Sequence, residues 1–251
     1  MIQKNTIYLE DCLEGMKRIP DASVDAIICD LPYGTTACSW DNILPWEDLW
    51  REYLRVIKEN SAIVLFGAEP FATQLRMSNL KHYKYDWYWI KNNVTGFTFA
   101  KSQPMRSVET ISVFSKGTAA YYPQGLQRVK KPQIQVRKVG EDTVYKTDSL
   151  EGKEFVQEYT GFPNNVLRFN KDTTNIFHPT QKPVALLEYL IKTYSKKGDI
   201  ILDNCMGSGT TAVACLNTDR YFIGFETDAA YYVRAVERIK TNVTQLDLFE
   251  V

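Results

Sequence analysis

The chain has 251 residues, with 30 Lys and Arg against 30 Asp and Glu, so its formal net charge is zero. Hydrophobic residues make up 44% and charged residues 24%, which excludes disordered, collagen-like and disulfide-scaffold classes and leaves room for one large domain with its own core, alone or with an inserted lobe. Neutrality also argues against a simple polycation that coats nucleic acid through bulk charge, although it leaves room for a local basic surface.

Two regions alternate strands and helices. Val24–Cys29 (VDAIIC) reads as a short buried strand. Pro45–Lys58 has helical spacing, with Leu49, Tyr53, Leu54 and Ile57 on one face. Ser61–Phe66 is a second buried strand, and Pro70–Leu80 a second helix that starts on proline. Tyr85–Ile90 and Val108–Phe114 read as further strands. Residues 117–175 carry Gly, Pro, Gln and Lys punctuation without a helical period, which predicts loops and short strands. Regular structure then resumes: a helix at Pro183–Tyr194, a strand at Asp199–Asn204 and a turn at Met206–Ser208. A helix over about Gly209–Leu216, a strand at Tyr221–Glu226 and a last helix at Ala229–Lys240 follow. This alternation predicts an α/β fold, a mostly parallel twisted sheet of Rossmann-like type with helices on both faces.

The five cysteines are Cys12, Cys29, Cys38, Cys205 and Cys215, and none form a CxxC pair. With only His82 and His178 available besides, a structural zinc site is not expected, and reduced, mostly buried thiols fit a cytoplasmic setting. No signal peptide is expected, and apolar runs such as Ala62–Phe66 are far too short to span a bilayer.

Charge is unevenly distributed. Residues 1–90 are net −4, residues 91–140 net +8, residues 141–198 balanced and residues 199–251 net −4. The basic stretch holds Lys91, Lys101, Arg106, Lys116, Arg128, Lys130, Lys131, Arg137 and Lys138 against a single acid, Glu109. A solvated face is the plainest reading of a charge run, but this excess points equally to a polyanionic partner.

Two turns carry chemistry. Asp203-Asn-Cys-Met-Gly207-Ser208-Gly209-Thr210-Thr211 follows a strand and opens a helix, where glycines admit a close ligand and free N–H groups attract an anion. Glu226 ends the next strand 19 residues after Gly207, the spacing of an acid that grips ribose hydroxyls. A tight turn alone would explain the glycines, but the spaced acid favours a nucleoside-containing ligand. Asp30-Leu31-Pro32-Tyr33 sits just past the strand VDAIIC, on the edge where parallel sheets bind ligands, although strand-ending turns often use these residue types.

Together these motifs resemble an amino-methylating DNA methyltransferase of the permuted β arrangement, with the catalytic motif ahead of the cofactor motif. The family's [DNS]-P-P-[YFW] appears as DLPY, with Trp40 and Asp41 soon after. Its LDPFxGSGTT appears as LDNCMGSGTT over Leu202–Thr211, and its HPTQKP as His178–Pro183. The likeness covers 6–116 and 176–240, including YLEDCLEGMKRIPDASVDAIICDLPYG and FIGFETDAAYYVRAVERI. It departs at Leu31, where the family has proline, and at Asn204-Cys205, where it has Pro-Phe.

The resemblance implies S-adenosylmethionine as methyl donor and adenine N6 in double-stranded DNA as target, with the base flipped out of the duplex. Asp30 and a backbone carbonyl at Leu31 or Pro32 would accept the amine N–H groups, and Tyr33 would stack on the base. Glu226 would hold the ribose, Asp11 the donor's adenine amine, and Asp203, Gly207, Ser208, Gly209, Thr210 and Thr211 its methionine end. Thr180 and Lys182 would close over that end, and His178 would either contact the donor or serve as a helix-entry contact. Cytosine N4 is the nearest alternative; a protein glutamine methyltransferase and a DNA-binding protein with weakened catalysis stand further off.

The implied layout is a catalytic half at 1–116, a target-recognition insert at 117–175, a cofactor half at 176–240 and a tail at 241–251. Lys91, Lys101, Arg106, Arg128, Lys130, Lys131, Arg137 and Lys138 would contact DNA, and the family suggests a homodimer. Gln245-Leu246-Asp247-Leu248-Phe249 is similar to the pentapeptide that docks on bacterial sliding clamps, though these apolar residues could equally pack back on the domain.

Overall fold

A computed structural model describes residues 2–36, 38, 41–136, 154–172, 176–177 and 181–249, with the backbone alone at 135–136, 155 and 245–249. The chain divides into two compact units, residues 1–122 with 165–251, and Pro123–Asn164.

The larger unit is built on strands β1 (Thr6–Leu9), β2 (Val24–Cys29), β3 (Ile57–Gly67), β4 (Tyr83–Thr95), β5 (Arg106–Phe114), β8 (Val166–Arg168), β9 (Ile200–Asp203) and β10 (Tyr221–Glu226). Their order is β1-β10-β9-β2-β3-β5-β4-β8. The first five in that order are parallel; β5 runs antiparallel to β3 and β4, and β8 is parallel to β4. The helices are α1 (Cys12–Met16), α2 (Trp46–Val56), α3 (Phe71–Ser78), α4 (Val184–Tyr194), α5 (Thr210–Asn217) and α6 (Ala229–Phe249).

The strands VDAIIC and SAIVLF read as unbroken apolar runs because both faces of the sheet are covered. Alternate residues serve opposite layers. Ala26, Ile28, Ala62, Val64 and Phe66 join one core with Leu186 and Leu190 of α4, Ala212 of α5 and Ala235 of α6. Ile27, Cys29, Ile63 and Leu65 join the other with Met16 of α1, Tyr53 of α2 and Phe71 and Leu75 of α3. The chain leaves β2 toward β3 on one side, whereas β9 leads toward β10 on the other. Such a reversal opens a crevice beyond the carboxyl ends of β2 and β9.

Most sequence-expected elements are present, β2 and β10 at their expected limits. Three corrections have physical causes. The helix expected to reach Lys58 stops at Val56, and Ile57 begins β3: the polar Lys58-Glu59-Asn60 run is exposed strand that leads into the apolar run. The insert expected over 117–175 is narrower as a compact unit, because Tyr122 N–H donates to Thr193 carbonyl (2.8 Å) and Val166–Arg168 pairs with β4. The last helix does not end near Lys240 but runs through Phe249, so Gln245, Leu246, Leu248 and Phe249 lie on helical backbone, not in a loose tail.

The smaller unit contains an antiparallel pair, β6 (Gln127–Val136) and β7 (Glu154–Thr160), longer than the short strands expected there. Arg128, Lys130 and Lys131 are exposed on β6, while Arg137 and Lys138 lie outside the described residues. Among the described residues no helix is long and apolar enough to cross a membrane, and all five cysteines are free.

Candidate active site

A cavity of about 330 Å³ lies in the larger unit, lined by both sequence-predicted turns. Asp30, Leu31, Pro32 and Tyr33 form one part of its wall. Asp203, Gly207, Ser208, Thr210, Thr211 and Glu226 form another, with Asp11 and Lys182 also on the lining. Its volume falls in the usual range for small-molecule sites.

At the glycine-turn end, Gly207 and Gly209 both take positive φ (51° and 72°), where a side chain would strain the backbone. A Cβ on Gly209 would also meet Ala235 Cβ at 3.1 Å, so this glycine seats the turn against α6. Arg238 of α6 donates to Ser208 carbonyl (3.0 Å) and to Thr210 Oγ1 (2.9 Å), which fixes the entry to α5. Glu226 accepts from Gly207 N–H (2.7 Å), Thr227 N–H (2.9 Å) and Asp228 N–H (2.8 Å). Burial raises its pKa above the usual carboxylate value despite those three bonds. Asp11 caps α1, accepting from Leu13 N–H (2.8 Å) and Glu14 N–H (3.1 Å) through one oxygen. Asp203 is buried and accepts from Cys205 N–H (3.1 Å); burial pushes its pKa up to about 6.

The two departures from the family pattern have local explanations. Asn204 spends its amide internally: Tyr53 hydroxyl donates to its Oδ1, and its Nδ2 faces the sulfurs of Cys12 and Cys205 at 3.5 Å. Leu31 is buried at 4% exposure in the core layer that includes Leu49 and Phe71, so its side chain anchors the turn where proline would stiffen it.

At the Asp30 end, Tyr33 hydroxyl donates to Asp30 Oδ1 (2.7 Å), and its ring stacks on Phe71 with centroids 4.7 Å apart. The ring expected against a base is thus packed on Phe71, and its hydroxyl holds Asp30. Asp41 gathers the following loop by accepting from the N–H groups of Gly34 (2.8 Å), Thr35 (2.9 Å) and Thr36 (2.7 Å). Burial would raise the pKa of Asp41, but those bonds overcome it and hold the pKa below the usual carboxylate range.

Lys182 is corrected in placement. Expected over the methionine end of a donor, its Nζ instead donates to Asp30 Oδ2 (2.5 Å) and lies 3.5 Å from Glu109 Oε2. Burial alone would discharge it, but Asp30 and Glu109 keep it charged. Lys91 is corrected too: expected at the DNA backbone, it is 8% exposed and paired with Glu109 Oε1 at 2.9 Å. No sequence motif marks Glu109 as a site residue, although it is the only acid among the nine bases of residues 91–140. His178 and Thr180 lie outside the described residues.

A family model described as DNA methylase matches residues 24–237. The chain belongs to the DNA methylase family. It is 28% identical to the type II methyltransferase M.HpaI of Haemophilus parainfluenzae, over 96% of this chain and 76% of that protein. It is 26% identical to the type II methyltransferase M1.MboII of Moraxella bovis, over 94% and 96%. Among solved structures, the M1.HpyAVI–SAM complex aligns over 95% of this chain and all of its own, with TM-score 0.61 and 26% identity. The cytosine-N4-specific PvuII DNA methyltransferase shares the fold, with TM-score 0.64 at 16% identity over 98% of this chain and 93% of its own.

Proposed function

We propose that this methylase transfers a methyl group from S-adenosylmethionine to adenine N6 in double-stranded DNA. The observation that carries the reading is one cavity shared by the Asp30 turn and the glycine turn with Glu226. The donor set suits the methyl donor: a half-buried carboxylate for a ribose diol at Glu226, a positive-φ glycine turn at a helix entry, and apolar Phe225 and Leu31 beside them. When bound, the donor supplies an electrophilic methyl on a sulfonium.

The exocyclic amine of adenine is a weak nucleophile because its lone pair is delocalised into the ring. Asp30 and the carbonyl of Leu31 or Pro32 accept its two N–H groups and draw the nitrogen toward tetrahedral geometry. The nitrogen lone pair forms the new N–C bond, the C–S electron pair returns to sulfur, and one amine proton leaves to Asp30 or water. Positioning and electrostatics lower the barrier. An aspartate at this position favours adenine over cytosine, and the base must leave the stack to reach it.

The register supports a DNA-facing edge here. β5 residues 106–109 extend past Gly67, the carboxyl end of β3, so the β4–β5 connection projects beyond the edge that carries Asp30. It presents exposed Lys101, Arg106, Phe97 (81%) and Phe99 (56%), a mix of phosphate-binding and stacking groups. The smaller unit, with Arg128, Lys130 and Lys131, is assigned to target recognition.

The test is expression in a methylation-free bacterium and single-molecule mapping of modified bases. N6-methyladenine at a defined motif supports the reading, and N4-methylcytosine overturns the base assignment. Homodimer formation is tested by sedimentation. Sliding-clamp docking through 245–249 needs the last turns of α6 to unwind; it is tested by deleting 245–251 and measuring clamp binding, where unchanged binding sinks it.

A further inference from the structure

The proposed catalytic carboxylate is the end of a partly buried chain of alternating charges: Asp30, Lys182, Glu109, Lys91. The strands and turns that supply them are distant in sequence, β2, the approach to α4, β5 and β4 in turn. Lys91 and Lys182 are buried and Asp30 and Glu109 partly so, and withdrawing such charges from water is costly unless each is paired, so the arrangement calls for a reason. Its weak point is specific. Glu109 Oε1 is engaged by Lys91, but Glu109 Oε2 is buried without a hydrogen bond, 3.5 Å from the same Nζ that donates to Asp30 at 2.5 Å. A buried acceptor left short of a donor is rare in a native interior.

We propose that Glu109 is a positioning residue that receives Lys182 when the target amine docks. In the free protein Lys182 donates to Asp30 Oδ2 and Tyr33 to Oδ1, so each carboxylate oxygen already accepts one hydrogen bond and the ammonium crowds Oδ2. The amine needs one of those oxygens. A shift of Lys182 of about 1 Å toward Glu109 Oε2 completes a hydrogen bond there and frees Oδ2 without leaving an unpaired buried cation. Lys91 keeps Glu109 ionised and in place. Phe66, whose ring lies 5.2 Å from Lys182 Nζ, provides a face over which the ammonium can move.

The inference rests on the proposed role of Asp30, so its test has an arm independent of methylation. The carboxyl of Asp30 is titrated by 13C NMR in the free protein, assigned through Asp30→Asn. The groups facing this cluster are Tyr33, Cys29 and Asp203 near Asp30, and Lys171 near Glu109 and Lys182, and all are retained. Glu109→Gln removes a negative charge beside Asp30 and Lys182, so the Asp30 midpoint moves down. Lys91→Met leaves Glu109 less neutralised, so the Asp30 midpoint moves up, and this variant decides if Glu109→Gln does not fold.

In the kinetic arm, the acid limb of kcat moves in the same directions. Glu109→Gln lowers kcat by about tenfold or more, Glu109→Asp restores most of it, and donor affinity is unchanged. Midpoints that stay put, or that move the same way in both variants, overturn the charge relay. NMR shifts as predicted with an unmoved kinetic limb overturn its part in the reaction. A wild-type protein without DNA methylation defeats the proposed function instead, and leaves the NMR result standing.

Discussion

The two ends of the cavity hold their carboxylates by different means. Glu226 is fixed by three backbone N–H groups that cannot move without moving β10 and the glycine turn. Asp30 is fixed by side chains, Tyr33 and Lys182, with Glu109 and Lys91 behind them. Backbone donors make a rigid acceptor, suited to a ligand with the same shape in every turnover. Side-chain partners can be exchanged, which suits a group that must take up and release a substrate amine. Both carboxyls are raised by burial, yet only the catalytic one has charged side chains within reach to offset it.

That contrast predicts a graded series. Asp30→Ala should abolish methyl transfer, by at least about 10³-fold, while leaving donor binding intact by calorimetry. Glu226→Ala should do the reverse, weakening donor affinity by about 10–100-fold through lost charged hydrogen bonds, with kcat at saturating donor less affected. Equal loss of donor affinity in both variants would erase the distinction between the ends.

Asp203 gives a pH-dependent effect of intermediate size. Its folded-state pKa of about 6 lies above the ordinary 3.8, so the native state binds more protons than the unfolded chain between those values. The buried charge therefore costs stability above about pH 6, and that cost disappears by about pH 4. Asp203→Asn should be more stable than the parent at pH 7 by on the order of 1–3 kcal/mol, with the gap closing by pH 4 in urea titrations. A gap independent of pH would show that Asp203 is not desolvated as described.

The smallest expected effect lies in the basic stretch. Its positive charge is divided: Lys91 is internal, whereas Lys101, Arg106, Arg128, Lys130 and Lys131 are exposed. DNA affinity should fall steeply with salt despite zero net charge, and Lys130→Ala or Lys101→Ala should each reduce that slope by about one. Lys91→Met should leave the slope unchanged.

The division between what the sequence discloses and what it hides follows the same line. β2 and β10 are legible because apolar runs between turn residues leave one reading, and the glycine turn and Glu226 are legible because local spacing defines them. Lys58–Asn60 and β6 are less legible because exposed strand residues look like loop, and the end of α6 has no capping signal at Lys240. The catalytic cluster is hidden for another reason. Asp30, Glu109 and Lys182 meet only after β2, β5 and the entry to α4 converge, and no local pattern reports such a contact. Lys91 reads as a surface base for the same reason.

The most direct test of the central claim uses the purified protein, labelled methyl donor and unmethylated duplex DNA, followed by digestion to nucleosides and mass spectrometry. The expected result is label in N6-methyladenine with the parent protein and none with Asp30→Ala. Label in N4-methylcytosine, label in protein, or undiminished N6-methyladenine from Asp30→Ala would contradict it.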